Sequence, residues 1–102
     1  MSKVNLTYVQ AFNLSTAIDA VMEQKMPGKV AAKFVRLIKP LSTLQEDYNA
    51  CVQKLSNNEE SEIIELNNSV FAEFERLTEE DISSITLTPL DLLRLQPVLE
   101  QA

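Results

Sequence analysis

The chain has no histidine, one glycine (Gly28), one cysteine (Cys51) and four prolines in 102 residues. Without histidine it lacks the commonest general base and the commonest metal ligand. One cysteine leaves no internal disulfide and no multi-cysteine zinc site, so the setting expected is a reducing cytoplasm. One glycine removes the P-loop and the dinucleotide-binding loop, and it speaks against a tight-turned all-β fold. No GxSxG or related nucleophile signature is present. No apolar run approaches the roughly 18 residues of a membrane span, and the start, MSKVNLTYVQAF, lacks the basic-then-apolar layout of a signal peptide. The expectations are no cofactor, no metal, no catalytic residue, no membrane partner, and a place in the cytoplasm of the cell.

What is present is ordinary for a folded domain: 45% apolar and 24% charged residues. The length suits one small domain, 1–102, with a modest core that a partner chain can help to bury. The net charge of −6 is unevenly spread. Residues 1–54 carry seven Lys/Arg against four Asp/Glu, net +3, and residues 55–102 carry two against eleven, net −9. Two readings follow. The halves fold onto each other with complementary faces, or the acidic half addresses a basic partner.

The spacing of Thr7 and Gln10 matches a capping box and opens a first helix over 8–24, with an apolar face through Phe12, Leu14, Ile18 and Val21. Met26-Pro27-Gly28 ends it. Next come Val30, Phe34, Leu37, Leu41, Leu44, Tyr48, Cys51 and Leu55, spaced 4, 3, 4, 3, 4, 3, 4. This heptad-like stripe keeps its phase across Pro40. An interior proline costs about 3 kcal/mol, whereas each buried large apolar side chain returns roughly 1.5–3 kcal/mol. The stripe therefore predicts one long helix over 29–55, kinked near Pro40. The alternative is two helices joined at Lys39-Pro40, the second opened by Ser42 or Thr43. A helix of that length spans about 40 Å, more than the first helix can cover. Later elements or a second copy must cover the rest.

SNNEES (56–61) reads as a polar break. EIIEL (62–66) reads as a weak strand, and NNSVFAEFERLTEE as a short helix burying Val70, Phe71, Phe74 and Leu77. DISSITL (81–87) reads as a second strand, and the two strands can pair as a small ribbon. Thr88 as N-cap, Pro89 at the first helical position and Asp91 near the positive end of the dipole open a final helix that Pro97 limits. The fold class expected is mainly α (α+β). It is an antiparallel helical hairpin with one long Pro-kinked helix, a small two-stranded element and short C-terminal helices.

Three groups could carry chemistry. Glu59, Glu60, Glu62 and Glu65 could hold a hard cation, but they lack the spacing and glycine of a calcium loop, and a solvated acidic loop fits better. Lys29, Lys33 and Arg36 share a helical face that could grip phosphates or pair with Glu73, Glu75, Glu79, Glu80 and Asp81. No aromatic residues interleave with these bases, so nucleic acid is not the partner expected. Cys51, on the stripe, reads as a small buried hydrophobe rather than a reactive thiol. A carboxylate enzyme built on Glu60 with Glu62 or Asp81 has no supporting pocket signal.

The segment AIDAVMEQKMPGKVAAKFVRLIKPLSTLQEDYNACVQKL resembles the front half of small uncharacterised proteins of tailed phages and prophages. Those proteins have an apolar helix, a break, Lys and Ala positions and a long charged helix. Here Met26-Pro27 supplies the break, followed by Lys29, Ala31, Ala32, Arg36 and Lys39. ISSITLTPLDLLRLQPVLE is similar to the family's ending, at Ile85, Leu87, Thr88, Pro89, Leu92, Leu95 and Pro97. Pro40 stands where the family has an ordinary helical residue. The resemblance implies phage origin and a small helical protein, and it implies no activity.

The function expected from these readings is a non-enzymatic interaction module that binds a host or phage protein. The candidate interface is Phe34, Leu37, Leu41, Leu44 and Tyr48 on the stripe with Glu73, Glu79 and Glu80 on the acidic half. The alternative is a self-associating structural or assembly protein, a homo-oligomer formed through the long helix.

Overall fold

In a computed structural model, which describes residues 3–55 and 59–99, Thr7 turns the chain from a strand, β1 (Lys3–Thr7), into a helix, α1 (Tyr8–Val21). The capping box expected there is present. The Thr7 hydroxyl accepts from the Gln10 backbone N–H at 3.3 Å, and Gln10 Oε1 accepts from the Thr7 N–H at 3.0 Å. Two of the four unpaired donors of the helix start are thereby satisfied. Helix α1 buries Ala11, Leu14, Ala17, Ile18 and Val21, and every large element of the fold packs on it.

After the Met26-Pro27 break the chain returns as α2 (Gly28–Leu41) and α3 (Leu44–Gln53). These are two limbs of one long bent helix. The chain stays helical through Pro40 and bends just beyond it, at Ser42 and Thr43. Ser42 keeps right-handed helical angles and donates its N–H to Ile38 at 2.9 Å, and the Asp47 N–H already returns to the Thr43 carbonyl at 2.9 Å. The Ser42 and Thr43 hydroxyls fold back onto the carbonyls of Lys39 (2.7 Å) and Pro40 (3.2 Å), a pattern that bends helices. The stripe keeps its phase across the bend, as its spacing predicts. Val30, Phe34, Leu37, Leu41 and Leu44 are buried, and Tyr48 and Cys51 are half-buried. The molecule measures 46 × 26 × 26 Å, so this helix runs along most of its length.

The far end of the stripe is covered from within the chain. The Tyr48 ring sits 5.6 Å from that of Tyr8 and 5.3 Å edge-on from that of Phe12, and its hydroxyl donates to Asn67 at 2.8 Å. Asn67 ends α4 (Glu60–Asn67). The EIIEL segment is therefore a helix, not a strand. Ile63 and Leu66, three apart, turn toward the hairpin while Ile64 stays exposed, and Glu60 and Glu62 favour the positive end of the helix. Of the expected polar break, 56–58 lie outside the described residues, and Glu60 and Ser61 belong to α4.

The two-stranded element exists, but it pairs segments other than those expected. The strand β2 (Val70–Glu75) lies where a short helix was expected, and it runs antiparallel to β1. Lys3 faces Glu75, Val4 faces Phe74, Asn5 faces Glu73 and Leu6 faces Ala72; then the register slips and Thr7 faces Val70. Phe71 is the extra residue of this bulge. A bulge turns an additional side chain to the same face, so Phe71, Ala72 and Phe74 all look inward. Their spacing of one and two, with three more to the buried Leu77, mimics a helical face. The Phe71 ring lies 5.2 Å from Tyr8 and 6.4 Å from Phe74.

DISSITL is not a strand either. Thr78 caps α5 (Glu79–Ser83) in a second capping box: the Asp81 N–H reaches the Thr78 hydroxyl at 3.2 Å, and the Thr78 N–H reaches Asp81 Oδ2 at 2.9 Å. Helix α6 (Pro89–Leu95) begins as expected, with the Thr88 hydroxyl accepting from the Asp91 N–H at 3.1 Å and Pro89 in the first turn. Pro97 lies in a closing 3-10 turn, Gln96–Val98. The Leu77 N–H donates to the Val98 carbonyl at 2.7 Å, and Leu77, Leu95 and Val98 close the core against β1 and α1.

Candidate interaction surface

The apolar half of the expected interface is core. Phe34 and Leu37 are at most 1% exposed, and Leu41 and Leu44 are buried beside them. Tyr48 is half-buried in the aromatic cluster. These side chains face α1 and the ribbon, so they offer no surface to a partner, and a dimer built on them would first have to open the hairpin. The heptad spacing was right about burial, but the burial is intramolecular.

Glu73, Glu79 and Glu80 are exposed. Glu73 stands 3.6 Å from Lys3, both side chains more than half exposed, a contact worth little in water. Glu79 and Glu80 sit in the first turn of α5, where the helix dipole favours them. Among the described residues neither has an ion pair.

The basic face of α2 meets the acidic half of the chain. Lys33 Nζ lies 2.6 Å from Asp81 Oδ2, and Arg36 Nε lies 2.9 Å from Glu75 Oε2. With Lys3–Glu73, three ion pairs join the positive front to the negative back. Lys29, Lys33 and Arg36 line one wall of a cleft of about 730 Å³, and Thr78, Glu80 and Asp81 line the other. Its bases thus look at acids of the same chain. Asp81 is buried, which pushes its carboxyl pKa up, but the Lys33 ammonium and hydrogen bonds from Thr78 outweigh that and hold it below the usual value of 3.8.

Cys51 is half-buried, with its sulfur 3.5 Å from the Tyr8 hydroxyl, which also donates to Asp47 at 3.3 Å. The hydrogen bond to Cys51, burial and the Asp47 carboxylate together raise the Tyr8 phenol well above its ordinary pKa, so it stays protonated. Among the described residues no group of acids, cysteines or histidines is arranged to hold a metal ion, and no helix is long and apolar enough to cross a membrane.

The surface that sequence reasoning missed is on α6. Leu90, Leu92 and Leu93 are 53%, 40% and 61% exposed, while Leu95 beneath them is fully buried against the core. The signal was legible. PLDLLRL places four leucines in six residues, around most of a helix circumference, and a seven-residue helix lying on α1 can bury only one side. The segment before it is pinned by a two-way amide contact: Gln24 Nε2 donates to the Thr86 carbonyl at 2.7 Å, and the Thr86 N–H donates to Gln24 Oε1 at 2.8 Å. The leucines are therefore held at the surface of an anchored helix. Compared with protein-family models, curated proteins and solved structures, the chain finds no match among any of them.

Proposed function

We propose that this chain is a small interaction module that works by binding another protein molecule, without chemistry of its own. The observation that carries this reading is the exposed leucine surface of α6, where Leu90 and Leu93 share the outer face of one short anchored helix and Leu92 is exposed at its side. Their combined exposed area is on the order of 300 Å², the size at which an apolar patch on a soluble protein tends to be functional. The absence of histidine and of any glycine-rich phosphate loop from the sequence supports a binding role. The resemblance of its two ends to small phage and prophage proteins supports a phage source and a site of action in the host cytoplasm, with a host or phage protein as the target.

The test is recovery of the tagged chain from phage-infected cells beside a Leu93→Glu variant, read by quantitative mass spectrometry. A protein held at stoichiometric level by the parent chain and lost from the folded variant supports the reading. Equal recovery of everything by both chains refutes it.

A further inference from the structure

We infer that α4 is a strap over the Tyr48 end of the hairpin, latched by the Tyr48–Asn67 hydrogen bond, and that it opens as a unit about a hinge at 67–69 while the rest of the fold stays closed.

Burial sets α4 apart. Among the described helices it alone buries no residue. Ile63 and Leu66 are half-buried, and Ile64 is 52% exposed. A hollow of about 280 Å³ lies between Leu55, just past the long helix, and Glu62, Glu65, Leu66 and Ser69. This flank of α4 is therefore not packed tight against the helix it crosses.

The two ends of α4 differ. At its start Glu59 makes no side-chain cap. In its last turn there is no basic residue, and Glu65 meets the negative end of the helix dipole. The C-terminal end is the tied one. Asn68 Nδ2 donates to the Ile64 carbonyl at 3.1 Å, and the Ser69 hydroxyl donates to the Glu65 carbonyl at 2.9 Å. The Tyr8 N–H in turn donates to the Ser69 carbonyl at 3.2 Å, just before β2 begins at Val70. The hinge thus stays fastened to α1 and the ribbon when the helix ahead of it lifts.

The hairpin holds its shape without α4. Leu14, Ile18, Phe34 and Leu37 are at most 1% exposed within α1 and α2, and the Tyr48 ring rests on Tyr8 and Phe12. Opening gives up the partial cover of Ile63 and Leu66 and the Tyr48 hydroxyl's bond to Asn67 at 2.8 Å. In return the segment regains chain entropy, because eight residues are too few to stay helical alone in water. Low local stability of this kind follows from few buried apolar contacts. The opened state frees the Tyr48 hydroxyl and bares Ile63 and Leu66, an apolar surface that the closed chain keeps half covered.

Amide hydrogen exchange of the full chain, resolved by residue with NMR, tests this. Amides inside α4, at 64–67, should exchange at least about tenfold faster than the slowest amides of α1 and α2. Low urea should speed the α1 and α2 amides and leave those of α4 nearly unchanged, since lifting one short helix exposes little surface. Leu37→Ala should speed the slowest α1 and α2 amides at least about thirtyfold but those of α4 less than about twofold, because the lost packing is missing from the closed and the opened states alike. The urea series uses the parent chain, so it decides the matter even where Leu37→Ala fails to fold. Tyr48→Phe should speed α4 exchange about fivefold. Amides of α4 that exchange as slowly as the core, or that follow the core in urea or in Leu37→Ala, would overturn the strap. Exchange in α4 that is indifferent to Tyr48→Phe would overturn its latch.

Discussion

Asp81 is the one buried charged residue among those described, and replacing it with asparagine gives the sharpest test of how the back half is fastened to the hairpin. Its Oδ2 accepts from Lys33 Nζ at 2.6 Å and from the Thr78 N–H at 2.9 Å. Asparagine keeps an oxygen for Thr78 but removes the charge that Lys33 faces. A hydrogen bond between charged partners contributes about 1.5–3 kcal/mol, and stranding a buried charge costs about 3–5 kcal/mol. The Lys33 side chain is 23% exposed, so it can turn toward water, and the smaller range applies. The expected loss is about 2 kcal/mol, or about 8–16 °C in Tm for a domain of this size. The pH dependence has a definite sign. The folded carboxyl titrates below its unfolded value of 3.8, so its contribution is fully present above that pH and is lost as the pH falls through the folded pKa. Urea unfolding of the parent and of Asp81→Asn should therefore give a constant gap from pH 7 down to about 5, closing below about 4. In a double-mutant cycle with Lys33→Met, the coupling should exceed about 1 kcal/mol. A gap under about 0.5 kcal/mol at pH 7, or one that persists unchanged into acid, would refute the assignment of Asp81 as an ionised clasp.

Leu37→Ala should cost about 2–5 kcal/mol by urea unfolding, because the side chain is fully buried between the hairpin helices; a cost below about 1 kcal/mol would mean the stripe is not core. Pro40→Ala should stabilise the chain by about 1 kcal/mol in the same assay, since the helix runs through this position and the Ser42 and Thr43 hydroxyls would still set the bend. Thr88→Ala should cost about 1 kcal/mol through loss of the α6 cap, with Thr88→Ser restoring most of it.

The hairpin was legible because its signals are local. Thr7 with Gln10, the Met26-Pro27-Gly28 break, the unbroken stripe and the Thr88-Pro89 start each act within a few residues, and each lies where the sequence places it. The segment from 60 to 87 was not legible in the same way. The partner strand of β2 lies at the opposite end of the chain, so no local spacing announces it, and the bulge at Phe71 disguises its period of two. In α4, the adjacent Ile63 and Ile64 look like a strand, and only α1 and α3 decide that Ile63 is partly covered while Ile64 is left out. The start of α5 is a local signal of the same kind as that of α1. Thr78 and Asp81 have the spacing of Thr7 and Gln10, with acids filling the first turn.

The candidate site divides along the same line. The stripe spacing correctly marks Phe34, Leu37, Leu41 and Leu44 for burial, but periodicity cannot tell whether the covering surface comes from the same chain. That depends on the aromatic cluster of Tyr8, Phe12, Tyr48 and Phe71, whose members come from three separate stretches, α1, α3 and β2. Once they close the far end, the long helix asks for no partner. The unmet apolar surface moves to α6, where it is a matter of length. Seven residues make two turns, one side of two turns can rest on α1, and Leu95 takes that side. Leu90 and Leu93, 53% and 61% exposed, add less to the chain's own core than the buried Leu95 beside them.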